Sequence, residues 1–168
     1  MKSLISFTSL AFSALLASQL IAADVKPAPN GLEIPANYKD WKVISQSHRV
    51  DNNTLRIIIG NDIAVNAARA EQTNPWPQGS ILGKLVWKQK NDEHWDKAIV
   101  PDKFVHAEFM YKDAQKFSST GGWGYARWLG LEQKPYGKDK NFSQECYGCH
   151  IPVKSKDYVY TTPVSLPK

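Results

Sequence analysis

The stretch Thr54-Leu55-Arg56-Ile57-Ile58-Ile59-Gly60 leaves little choice of backbone. Three successive Ile behind Thr and Leu crowd the turns of a helix but suit a pleated surface, and Gly60 closes the run. On its N-terminal side, Asp51-Asn52-Asn53 makes a turn and residues 41–49 (WKVISQSHR) form a second strand. On the other side, Asn61 or Asp62 caps a helix over residues 63–72, where Ile63, Ala67 and Ala70 recur at helical spacing. Asn74-Pro75-Trp76-Pro77 breaks that helix. Residues 80–88 (SILGKLVWK), 104–111 (FVHAEFMY) and 123–129 (WGYARWL) read as three more strands, with a loop at Asn91-Asp92-Glu93. A short helix is expected over 113–118, a polar loop over 132–140, a helix over 141–150 and an extended end over 157–163. The pattern predicts an α+β fold: a mainly antiparallel five-stranded sheet with segregated helices.

Length and composition fit one domain. The chain has 168 residues, 42% hydrophobic and 22% charged, enough to bury a core and against wholesale disorder. Its net charge of +5 is spread without a block of like charges, so no nucleic-acid arm is indicated. Residues 1–23 read as a secretory signal peptide: Lys2, an apolar run, then Ala22 and Ala23 before Asp24. An uncleaved anchor is the competing reading, but Ser, Thr and Gln interrupt the run and small residues suited to cleavage follow. The mature chain is therefore expected to be exported to the periplasm, with no membrane span after cleavage. Residues 24–36, with Pro27, Pro29 and Pro35, read as a flexible lead-in, and residues 37–168 as the functional domain.

The chemistry lies in Cys146-Tyr147-Gly148-Cys149-His150, which uses both cysteines of the chain. Two thiols three positions apart on a helical turn can each add to a vinyl group of one heme, and the adjacent His is then delivered to the iron. A redox dithiol wants a strand–helix context that is absent here. A zinc site wants further strong ligands. The reading is covalent heme c, one per chain, with Cys146 and Cys149 as attachment points and His150 as metal ligand. Met occurs twice, once as the first residue, so Met110 is the mature chain's one thioether. Its strand setting favours core packing. His48 and His106 sit on strand-like segments and read as hydrogen-bonded, and His94 as a surface residue. The iron is thus expected to be open to a small ligand, which favours chemistry or gas binding over electron carriage.

Strand alternation adds sparse charges to otherwise apolar rows. Arg56 shares a face with Ile58; Lys84 lies between Leu82 and Val86; Glu108 falls with Phe104, His106 and Met110; Arg127 falls with Trp123, Tyr125 and Leu129. One charge in an apolar row is costly unless it is paired or faces a site. Desolvation between Leu82 and Val86 would favour a neutral, nucleophilic Lys84 amine.

The order of these segments, with its late Cys-x-x-Cys-His, resembles the cytochrome P-460 family and its relative cytochrome c′-beta. The stretches that carry the likeness are PANYKDW, LRIII, GSILGKLV, YKDAQKF, ECYGCH and DYVYT; the heme motif alone is unspecific, and its C-terminal placement together with Gly79-x4-Lys84 is considerably more specific. The resemblance implies that Lys84 is bonded to a meso carbon of the heme, that Arg56 is a distal-pocket arginine, and that Glu108 is an acidic strand residue near the reaction. It further implies a homodimer, a five-coordinate iron, and either oxidation of hydroxylamine or handling of nitric oxide. Such chemistry needs an electron-transfer partner. A non-catalytic nitric-oxide-binding protein is the alternative, and an electron carrier the third.

Overall fold

The computed structural model describes residues 25–167; the expected signal peptide lies outside them. Six strands run in sequence order across one antiparallel sheet: β1 (Lys42–Arg49), β2 (Thr54–Gly60), β3 (Ile81–Asn91), β4 (Ile99–Lys112), β5 (Trp123–Leu129) and β6 (Lys134–Pro135). Helix α1 (Asp62–Arg69) follows β2, and α2 (Phe142–His150) follows β6. The fold is α+β, as expected. The sixth strand is a correction: the loop read over 132–140 contributes two residues that pair with Leu129 and Trp128. So is the segment 113–118, which makes turns ahead of a short 3-10 helix at Ser118–Thr120. Asp113 captures the amides of Gln115 and Lys116 with its side chain, which favours a turn over a helix.

The two faces of the sheet are covered by different parts of the chain. On one face, Phe109 is almost fully buried and meets the rings of Tyr38, Trp41 and Trp128 edge-on, at 5.3, 6.1 and 5.9 Å. Edge-to-face contact suits the ring quadrupoles. Gly83 lies under this cluster; a Cβ there would stand 2.8 Å from Phe109 and 2.9 Å from Ile59. The segment expected to be a flexible lead-in is docked here. Ala28 and Leu32 are buried in the cluster, the Trp128 indole donates to the Lys26 carbonyl at 2.9 Å, and Asn30 donates to the Tyr125 carbonyl at 2.8 Å. Its prolines stiffen a strap that the aromatic face holds in place.

The second face carries α1 and the chain beyond α2. Asn61 caps α1, its side chain accepting from the Ala64 amide at 3.0 Å, and Ala64, Val65, Ala67 and Ala68 bury the helix against Ile44, Ile58 and Leu82. Residues 162–164 return to the outer edge of β1, where the Val164 amide donates to the Ile44 carbonyl at 3.0 Å.

One row assignment fails. In β4, His106 faces Val86 but Phe104 faces Trp87, so Val105 is an extra residue in the ladder. The bulge rotates Phe104 onto the aromatic face, where its ring lies 5.4 Å from Trp87. Phe104 therefore does not share the row of His106 and Glu108.

Candidate functional site

Antiparallel register sets the site. Ile58 pairs with Lys84, Lys84 with Glu108, and Glu108 with Arg127, placing three charged side chains abreast on the second face. Glu108 is the hub. One carboxylate oxygen meets the Lys84 amine; the other meets the Arg127 guanidinium at 2.5 Å and lies 3.4 Å from His106 Nε2. Burial alone would raise the Glu108 pKa, but Lys84 and Arg127 together hold it down at about 2. Burial drives His106 the other way, to about 4, against the pull of Glu108. At neutral pH the row therefore holds a carboxylate and a neutral imidazole. The Lys84 amine is not isolated among apolar neighbours, as Leu82 and Val86 suggested; it is ion-paired.

Arg56 lies on the same face one row away, opposite Val86, and its Nε donates to Thr54 Oγ1 at 3.3 Å. It makes no ion pair with Glu108 among the described residues. Arg127 stacks over the Tyr136 ring at 4.6 Å and leaves its Nε buried without a partner; the Tyr125 hydroxyl is likewise buried and unpartnered.

Helix α2 packs against β5. Phe142 joins the aromatic cluster of the first face, Cys146 touches the clusters of both faces, and His150 at the far end reaches Tyr125 on the charged face, whereas Cys149 is exposed. Nothing stands within 4 Å of a Cβ built on Gly148, between the two thiols. Pro152 in the 3-10 helix Ile151–Lys156 prevents α2 from running on, and Asp157 and Tyr158 both adopt left-handed backbone, with φ of 51° and 62°. The chain turns back, and His150 Nδ1 comes to 2.6 Å from the Tyr158 carbonyl oxygen. A carbonyl only accepts, so Nδ1 carries the proton and Nε2 presents a lone pair. The rings of Tyr125 and Tyr160 flank the imidazole at 5.3 and 5.4 Å, and the Tyr160 hydroxyl donates to the Cys149 carbonyl at 2.8 Å. Burial lowers the His150 pKa, against the hydrogen bond to Tyr158, which raises it. Burial pushes the Cys146 thiol up, with the Arg127 charge opposing it.

These residues fit a heme. Two unpaired thiols and one imidazole with a fixed tautomer form the donor set, and unpartnered polar atoms of Arg127 and Tyr125 lie buried on the sheet face beside the end of the helix. Among the described residues no three His, Cys, Asp or Glu side chains gather as a metal cluster, so the thiols lack the partners of a zinc site.

Alternation in the sequence set Lys84, Glu108 and Arg127 each in an apolar row of its strand, with His106 beside Glu108. It left unseen that the three rows stand abreast and that Tyr158 orients His150. The first follows from cross-strand register, and the second is a backbone contact with no side-chain signal. Met110 packs against Leu82 and Tyr125 beside the core, in keeping with the packing role expected of it. His48 contacts Gln89 at an exposed position.

A single sheet that presents Cys-x-x-Cys-His on a helix packed against β5, beside a buried charged row, defines a heme-binding cytochrome with a largely β scaffold. The chain belongs to the cytochrome P460 family, whose model matches residues 35–161, most of the chain. A comparison with curated proteins finds no match. Among the described residues no helix is long and apolar enough to cross a membrane.

Proposed function

We propose that this chain is an exported mono-heme c-type cytochrome with an open iron position, which oxidises hydroxylamine or handles nitric oxide in the periplasm. The observation that carries the reading is the hydrogen bond from His150 Nδ1 to the Tyr158 carbonyl, which leaves Nε2 free as a ligand on a ring that feels the charges of Lys84 and Glu108. The Cys146 and Cys149 thiols would hold the group covalently, by addition of each S–H across a vinyl double bond, and His150 would ligate the iron. The bound heme supplies one-electron redox chemistry and a coordination position for a small nitrogen oxide.

The chain's own residues set what happens beside it. Lys84 is the residue proposed to bond the ring. Its nitrogen would replace the hydrogen on a meso carbon, an N–H and the C–H bond breaking with loss of two protons. The two electrons would pass to an oxidant of the peroxide class from solution. Arg56, permanently charged, would orient a nitrogen–oxygen ligand. Glu108 would take part in moving the protons that hydroxylamine oxidation releases, while the electrons leave to a partner protein outside the cytoplasm. A homodimer is part of the same proposal.

The Lys84–Glu108 ion pair favours a second reading, a nitric-oxide-binding protein without turnover, because an amine held by a carboxylate need not bond the ring. The optical spectrum of the reduced protein, matured with its heme, separates the two. A Soret band displaced far to the red, lost in Lys84→Met together with hydroxylamine turnover, supports the oxidase. An ordinary high-spin heme c spectrum, unchanged in Lys84→Met, with tight nitric-oxide binding, supports the gas-binding protein. A six-coordinate low-spin resting iron overturns both.

A further inference from the structure

The chain beyond α2 is fastened to the sheet by a device the heme motif does not contain. Lys112, the last residue of β4, and Asp157 form an ion pair with side chains only 8% and 9% exposed. The Lys112 amine reaches both carboxylate oxygens, at 2.6 and 2.7 Å, and sits 5.0 Å over the Trp123 ring. The same carboxylate accepts from the Trp76 amide at 2.8 Å, and the Asp157 carbonyl accepts from the Trp123 indole at 2.8 Å. Lys112 itself is fixed to the strand edge through its backbone, donating to the Ser80 carbonyl at 2.9 Å and accepting from Gly79 at 3.0 Å.

Asp157 is therefore held at three points, by Lys112, Trp76 and Trp123, all outside the segment that carries the thiols and the histidine. Asp157 and Tyr158 are successive left-handed residues, and the next carbonyl along is the one that accepts from His150 Nδ1. At 2.6 Å that hydrogen bond tolerates little displacement of the acceptor. The Tyr158 side chain is confined as well: a Cβ on Gly121, which has a φ of +71°, would stand 2.4 Å from its ring.

We infer that the buried Lys112–Asp157 pair is a positioning device for the iron ligand: it fixes the Tyr158 carbonyl, and through it the tautomer, orientation and basicity of His150. The inference rests on the proposed reading of His150 as the ligand. A ligand imidazole that donates from its other nitrogen is a stronger base and favours ferric over ferrous iron. Removing a charged partner outright strands its mate, whereas replacing both charges is far milder. Asn suits the left-handed position and can still accept from the Trp76 amide.

The test compares wild type, Asp157→Asn and the double variant Lys112→Met/Asp157→Asn, each matured with heme. The readouts are heme content, thermal midpoint, reduction potential and the iron–imidazole stretching frequency of the ferrous protein. The expected result in both variants is retained heme with a raised potential and a lowered stretching frequency. A lowered midpoint with unmoved potential and frequency overturns the inference, since a merely structural pair would behave in that way. Should Asp157→Asn fail to fold with Lys112 stranded, the double variant distinguishes the same two outcomes. His150→Ala checks the underlying reading separately: heme with an unchanged spectrum in that variant sinks His150 as ligand, whatever the pair does.

Discussion

The two faces of the sheet are built from the same five long strands, yet they do opposite things with them. On the aromatic face, alternate residues of the strands are Ile59, Ala107, Phe109, Ala126 and Trp128, sealed by the N-terminal strap. On the other face, the alternate residues include Lys84, His106, Glu108 and Arg127, beside the end of the helix that carries the two unpaired thiols. The first face is apolar; the second buries α1 and, beside it, holds one carboxylate shared by two cations, a set left net positive. Keeping every charge on one side of the ladder leaves the aromatic cluster on the other free of ions.

The largest expected break in that division is Phe109→Ala. The side chain is almost fully buried among four aromatic rings, so stability should fall by about 3–5 kcal/mol. Denaturant unfolding measures this, and whatever remains folded should keep its heme spectrum. A changed spectrum at full stability would mean the faces are not separate.

Glu108→Gln tests the other face. It leaves Lys84 and Arg127 without their shared carboxylate, and should cost about 2 kcal/mol, less than the aromatic truncation, while altering the heme spectrum or ligand binding. A silent spectrum would remove Glu108 from the site.

The pH response is spread over several pH units and is the most specific. His106 titrates at about 4 when folded and at 6.5 ordinarily, so between those values the unfolded chain binds more protons and stability falls as pH falls. Glu108, lowered from 4.5 to about 2, continues the loss in the same direction below pH 4.5. Urea midpoints between pH 7 and 3 should decline throughout, and His106→Gln should flatten the part above pH 4. A flat wild-type profile across pH 6.5 to 4 would contradict a buried neutral His106.

Much of this is legible in the residues, and the failures have physical causes. Strong β-branched alternation shows β2, and capping with alanine spacing shows α1, although that helix ends at Arg69, before the expected Gln72. Glu71 turns left-handed there, and the Gln72 amide closes onto Ala67. Period-two alternation places Lys84, Glu108 and Arg127 correctly because their strands are unbroken across the row. It fails at Phe104 because one inserted residue reverses every side chain beyond it. The strap at 25–36 escapes the sequence because proline-rich composition reports stiffness and says nothing of docking. Lys112 and Asp157 are invisible as a pair: 45 positions separate them, and neither lies in a patterned run.

The strand order has a further consequence, one of timing. Because each strand pairs with its neighbour in sequence, the ladder from β1 to β5 can close through contacts between chain neighbours, the kind of topology that folds quickly. The thiols, the imidazole, the Tyr158 carbonyl that orients it and the 162–164 stretch along β1 all come after that ladder in the chain. The order of the chain thus matches an order of assembly: a charged face can already stand before the segment that brings ligands to it arrives. Rearranging the connectivity so that α2 came first would keep every contact, and would ask those ligands to wait for their surface.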